Sequence, residues 1–182
     1  DCRAGSFGQY CFVGTPMSYL RRFLLINLIA VMAGCGFQLR QSPNYAFISL
    51  FVNLPENDAM GASLRRNISA SGKVTVITDV RDVEKAQVIY EPILNVREKV
   101  ILGRTSTGAI REYQLRLRYR FRLRTQGGKE LIPDAEIFLT RDINFNETGA
   151  LSKESEEALL YRDMENDLIQ QILRRLAAVK SL

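Results

Sequence analysis

The stretch that most constrains this chain is Tyr113–Arg124, YQLRLRYRFRLR. Tyr113, Leu115, Leu117, Tyr119, Phe121 and Leu123 hold the odd positions, while Arg116, Arg118, Arg120, Arg122 and Arg124 hold all but one of the even ones. Successive side chains on a strand point to opposite faces, so a period of two specifies a strand with one apolar and one cationic side. The apolar side needs cover from other elements. The cationic side needs water, counter-charge or a ligand.

The surrounding sequence supplies the cover. After a Pro43-Asn44 break, Ala46–Val52 (AFISLFV) reads as a mostly buried strand. Pro55 and Asn57 open a helix with Met60, Leu64 and Ile68 at spacing four, and Gly72 stops it. Val74–Thr78 is again strand-like. In Val88–Leu102, the residues Val88, Tyr90, Leu94, Val96 and Val100 are expected on one face, with Glu91, Asn95, Arg97 and Lys99 on the other. Pro92 cannot donate to a ladder and marks an edge or a bulge. The loop GRTSTGAI leads into the arginine strand, QGGK turns the chain, and a further long strand runs from about Glu130 to Asn144. A closing helix, Ser152 to Val179, carries Tyr161, Leu168, Ile172, Leu176 and Val179 on one stripe. Its acidic start (Glu154, Glu156, Glu157) and basic end (Arg174, Arg175, Lys180) suit the helix dipole. The economical architecture is an α+β two-layer sandwich: a four-stranded, mostly antiparallel or mixed sheet with two helices packed on one face.

The register of the last hairpin follows from face matching. Two- or four-residue turns would set arginines opposite Ile137 and Leu139, which mixes faces. A three-residue loop with a glycine bulge, or its five-residue equivalent, pairs Arg124 with Glu130, Arg120 with Asp134 and Arg118 with Glu136. It also sets Leu117 against Ile137 and Leu115 against Leu139. Arginines two apart stand about 6.6 Å from each other, where repulsion in water is only about 0.6 kcal/mol. Two readings of the basic row therefore stand. It is a solvated ladder of cross-strand ion pairs, or it faces phosphate or the acidic wall of a partner.

The chain of 182 residues is long enough for one domain with a substantial core. Its net charge of +5 permits an acidic partner without demanding one. It has no histidine, and its three cysteines, Cys2, Cys11 and Cys35, all lie near the start. Enzymatic chemistry is not expected: there is no histidine base, no thiol after Cys35 and no Gly-rich phosphate loop. Metal ligation and cofactor binding are not expected either.

The cysteines concentrate attention on the N-terminal segment, MSYLRRFLLINLIAVMAGC from Met17 to Cys35. Arg21 and Arg22 precede an apolar run from Phe23 to Met32, and small residues lead to the cysteine, as in a secretory signal. A mostly apolar run of about ten residues is too short to cross a hydrocarbon core of about 30 Å as a helix. Met32-Ala33-Gly34-Cys35 resembles the lipobox of bacterial lipoproteins, which implies acylation of Cys35. Gly36 stands where an aspartate would mark inner-membrane retention, so the resemblance implies the outer membrane. The expected organisation is an upstream extension over 1–16, a lipoprotein signal over 17–34 and one periplasmic domain over 35–182.

Three further stretches carry a more specific resemblance: GCGFQLR (Gly34–Arg40), REYQLRL (Arg111–Leu117) and DMENDLIQQILRRL (Asp163–Leu176). In this order they resemble the LPS-assembly lipoproteins, the LptE family. The resemblance implies a non-enzymatic outer-membrane lipoprotein on the periplasmic face. Such a protein plugs the LPS-assembly β-barrel, assists its assembly and helps deliver lipopolysaccharide to the outer leaflet. It also implies lipopolysaccharide contact at Arg104 and Lys153, and neighbouring Arg111 joins them as a candidate. The basic row Arg116–Arg124 is a candidate partner-facing surface with no assigned family role. The alternative is a different outer-membrane-anchored scaffold or assembly lipoprotein that does not bind lipopolysaccharide. Nucleic acid is not an expected partner, because Tyr119 and Phe121 point away from the arginines and the signal exports the chain.

Overall fold

A computed structural model of the chain describes residues 43–144 and 150–182. The expected extension, signal segment and Cys35 lie outside the described residues. The elements run β1 (Ser49–Val52), α1 (Ala59–Ser69), β2 (Thr75–Ile77), a short 3₁₀ helix (Val80–Lys85), β3 (Val88–Arg104), β4 (Ile110–Thr125), β5 (Glu130–Asn144) and α2 (Ala150–Ala177). They form one mixed sheet of order β2-β1-β3-β4-β5. β1 is parallel to both neighbours, and β3, β4 and β5 form an antiparallel meander.

The α+β class stands, with two corrections. The sheet has five strands rather than four, because Thr75–Ile77 joins it as a short edge strand beside β1. The described residues hold three helical segments rather than two, the third being the 3₁₀ helix. That helix is capped by Asp79, whose carboxylate accepts from the Arg81 N–H at 2.9 Å.

The main core lies between the sheet and the two α-helices. From α1 it takes Met60, Leu64 and Ile68, the residues expected at spacing four. Asp58, not Asn57, caps this helix and accepts from the Gly61 N–H at 2.5 Å. From β4 it takes Leu115, Leu117, Tyr119, Phe121 and Leu123, all at most 1% exposed. From α2 it takes Leu168, Ile172 and Leu176 as expected, and also Met164, Ile169 and Leu173, which widen the apolar stripe. Burying each such side chain contributes about 1.5–3 kcal/mol. The opposite side of the sheet is covered at one end only. There Phe51, Ala86 and Ile89 form a small second core with Ile77 and Val83, roofed by the 3₁₀ helix.

Two hairpins of the same design build the meander. Thr105 N–H donates to the Ala109 carbonyl and Thr125 N–H to the Lys129 carbonyl, each at 2.8 Å, which closes three-residue loops. Gly108 and Gly128 occupy the left-handed position of each loop, at φ +87 and +89, a conformation that costs other residues about 1–2 kcal/mol.

The register departs from expectation twice, at bulges. In β3 a shift between Pro92 and Leu94 flips the side chains from there to Ile101, where further irregularities begin. Leu94, Val96 and Val100 therefore share the arginine side, opposite Arg120, Arg118 and Gln114. Asn95, Arg97 and Lys99 sit on the helix side. In the last hairpin Arg124 pairs with Glu130 as expected, but two irregularities near Leu123 move the remainder by two residues. Leu117 then faces Leu139, and Arg118 faces Phe138. A slip of two preserves the faces, so the structure tolerates it.

Candidate functional site

The sheet's uncovered side carries the arginine row, and each guanidinium has a partner. Arg122 Nε donates to Glu91 Oε2 at 2.5 Å, and Arg124 Nε donates to Glu91 Oε1 at 2.8 Å. Partial burial pushes the Glu91 carboxyl pKa up, but Arg124 and Arg122 outweigh it and hold the group below its usual range. Arg120 pairs with Asp134. Arg118 approaches Glu136 at 3.4 Å and lies over the Phe138 ring at 5.5 Å. Arg116 donates to Gln114 Oε1 at 2.8 Å, and Gln114 in turn donates to Asp142 at 2.9 Å.

The expected ion pairs of Arg118 and Arg120 thus form. They run diagonally rather than straight across, because the two-residue shift places Glu136 directly opposite Arg120. Glu98 lies opposite Arg116 on the same side. The row's five arginines therefore share their face with seven carboxylates: Glu91, Glu98, Glu112, Glu130, Asp134, Glu136 and Asp142. Apolar Leu94, Val96, Val100 and Phe138 separate the charges. This is a balanced, half-apolar surface rather than a cationic platform.

The three other candidate cations lie towards the β3–β4 hairpin tip. Arg104 ends β3 and donates to the Gly108 carbonyl at 3.0 Å across its own loop. Arg111 is the second residue of β4, next to Ile110, which pairs with Arg104, and is exposed. Lys153 lies in the first turns of α2 and is paired with Glu156 at 2.7 Å. Contacts lower on the same elements align the helix with the strand: Lys99 pairs with Glu157 at 2.6 Å, and Arg97 pairs with Glu165. Arg104 lies further along β3 than Lys99, and Lys153 one turn before Glu157, so all three cations sit towards the tip. No direct contact joins Arg104 to Lys153 among the described residues.

Sequence reasoning missed the lock between β3 and α2. Arg97 stacks over the Tyr161 ring at 5.2 Å, Lys99 lies over the Tyr113 ring at 4.3 Å, and Tyr161 Oη donates to the Glu98 carbonyl at 2.9 Å. The available signal was Pro92: a bulge there reverses which residues of β3 face the helix.

An antiparallel-dominated sheet with helices on one side and a largely open second side defines a two-layer α+β module. Known structures share this fold. The solution NMR structure of uncharacterized lipoprotein B from Nitrosomonas europaea is 35% identical, covers 79% of this chain and 91% of its own, and superposes with a TM-score of 0.66. The minor lipoprotein of Acinetobacter baumannii is 20% identical, with coverage of 74% and 94% and a TM-score of 0.59. Rare lipoprotein B of Shewanella oneidensis is 23% identical, with coverage of 72% and 93% and a TM-score of 0.57. At these lower identities the last two show the fold alone. The chain belongs to the LptE family, whose lipopolysaccharide-assembly family model matches residues 48–176.

Proposed function

We propose that this protein is a non-enzymatic lipoprotein of the outer membrane, tethered at the periplasmic face through Cys35. It seats in the lipopolysaccharide-assembly β-barrel, assists that barrel's folding and helps deliver lipopolysaccharide to the outer leaflet. The observation that carries this reading is the family match across residues 48–176, which takes in every strand and nearly all of both α-helices.

Arg104, Arg111 and Lys153 are the cations that would meet lipopolysaccharide phosphates. Guanidinium and ammonium groups form the stronger, charge-assisted class of hydrogen bond with phosphate. Arg104 and Lys153 now make weak internal contacts on the surface, and an exchange for phosphate loses little. The arginine row, already matched by carboxylates, suits a protein wall better than a polyanion. That balance also favours a second reading, a scaffold or assembly lipoprotein that docks on protein without binding lipopolysaccharide. Depletion of the protein tests the first reading, scoring both folded barrel and surface lipopolysaccharide. Both should fall, and normal levels of both would remove it.

A further inference from the structure

The third strand outruns its neighbour. β1 pairs with β3 only at Val88–Tyr90, whereas β3 continues to Arg104. Among the described residues no strand flanks Asn95–Ile101 on the side away from β4. One bond fixes the direction of its backbone groups: the Asn53 N–H donates to the Tyr90 carbonyl at 3.0 Å, so that carbonyl points away from β4. Opposed residues of an antiparallel pair alternate between exchanging both backbone bonds and exchanging none. Tyr90 and Leu123 are therefore a pair that exchanges none, and so are Pro92 and Phe121, where proline's missing N–H costs the ladder nothing. Beyond the bulge the same set of β4 residues faces Asn95, Arg97, Lys99 and Ile101. These four direct their N–H and C=O groups outward, along about 20 Å of edge that no strand of the described residues pairs.

Both flanks of that edge are built for cover. On the open side lie Leu94, Val96 and Val100; nearby Ile93 and Leu102 are 43% and 46% exposed, and Ile101, on the helix side, is 39% exposed. Long apolar edges are an association hazard that folds normally cover or blunt. On the helix side a groove of about 700 Å³ runs beside β3, between α2 and the start of α1. Arg97 and Lys99 are occupied by Glu165 and Glu157. Arg162 and Glu154 line the same groove and hold no ion pair among the described residues.

We propose that the outer edge of β3, from Asn95 to Ile101, is a strand-addition site at which an extended segment of the partner protein pairs as a sixth strand. Its side chains alternate: apolar ones meet Leu94, Val96 and Val100, while an acid and a base on the other side meet Arg162 and Glu154. Main-chain bonds supply affinity and the alternation supplies register. The inference rests on the barrel reading above, in which the β-barrel protein supplies the segment. An acyl chain could cover the apolar flank but would leave the edge N–H groups without acceptors.

Residue-resolved amide hydrogen exchange tests this in the isolated full chain and in the co-expressed, detergent-extracted complex with the barrel. Asn95, Arg97, Lys99 and Ile101 should exchange quickly in the isolated chain and slow by about 100-fold or more in the complex. Leu94, Val96, Glu98 and Val100, bonded to β4, should be slow in both. Unchanged edge amides in a complex that does form would overturn strand addition and leave the barrel reading standing. Protection already present in the isolated chain would overturn it too, by assigning the edge to this chain or a second copy. Failure to recover any complex would sink the barrel reading and strand addition with it. As a second measurement, Asn95→Pro removes one outward N–H without touching the β4 ladder and should weaken the complex about tenfold, with Asn95→Ala near wild type. Equal affinity of the two variants would overturn the proposal.

Discussion

The hydroxyls of Tyr90 and Tyr119 meet at 2.8 Å inside the core, where both residues are at most 1% exposed. Tyr90 rises from β3 and Tyr119 from β4, so this polar contact ties the long hairpin together beneath the helices. Burial is the main force on both phenols. It lifts Tyr119 to about 12 and, with the neighbouring Tyr119, pushes Tyr90 well above the ordinary value of 10.0.

A raised phenol pKa makes the fold sensitive to alkali. Between pH 10 and about 12 the unfolded chain releases these protons while the native state keeps them, so stability is full below pH 10 and falls above it. Absorbance titration should show two tyrosines ionising late and together with unfolding. Tyr119→Phe should cost about 1–3 kcal/mol, because it strands the Tyr90 hydroxyl, whereas the double Phe variant should recover part of the loss. Urea unfolding of the three proteins decides this.

Glu91 should govern the acid side. Its depressed carboxyl pKa contributes stability that is present above the ordinary carboxylate range and is lost as pH falls through the folded value. Glu91→Gln leaves Arg122 and Arg124 without their shared counter-charge and should cost about 1 kcal/mol near neutrality. The gap between wild type and variant, read from urea midpoints, should close as the pH is lowered below that range.

Along α2, burial should separate two leucines of the same helix. Leu168 is 0% exposed and Leu159 is 57% exposed. Leu168→Ala should destabilise by about 2–5 kcal/mol. Leu159→Ala should stay within about 0.5 kcal/mol. Thermal melts of the purified domain measure both.

The hairpin-tip cations should matter for ligand and not for folding. Arg104→Glu combined with Lys153→Glu gives up only surface contacts of the chain. Stability should change by less than about 1 kcal/mol. Binding to lipopolysaccharide micelles should weaken by at least about tenfold, as two charge-assisted contacts are lost. Unchanged binding would return both residues to ordinary surface duty.

Legibility in the sequence differed from strand to strand. In β4 the alternation alone separated the core face from the arginine face, since nothing interrupts its pleat between Tyr113 and Arg124. The turn before β5 was legible because one glycine must take the left-handed position, and Gly128 does. The irregularities near Leu123 left no trace in the pattern, because together they move the strand by two residues and keep every face. In β3, Pro92 announced a disturbance but not its size. A single inserted residue sent Arg97 and Lys99 to the helices, where Glu165 and Glu157 make the reversal tolerable. At the tip, Arg104 and Arg111 could be placed by strand order alone. Where Lys153 stands beside them depends on how α2 lies along β3, a tertiary fact that the lock at Tyr161 reveals.

The matched charges on the open side of the sheet have an effect at a distance. Opposite charges interleaved within one Debye length of about 8 Å largely cancel in the solvent beyond them. A long anionic sugar chain drifting past would feel neither attraction nor rebuff until it touched. Such a wall exerts little pull at long range, so whatever it selects it must select by contact.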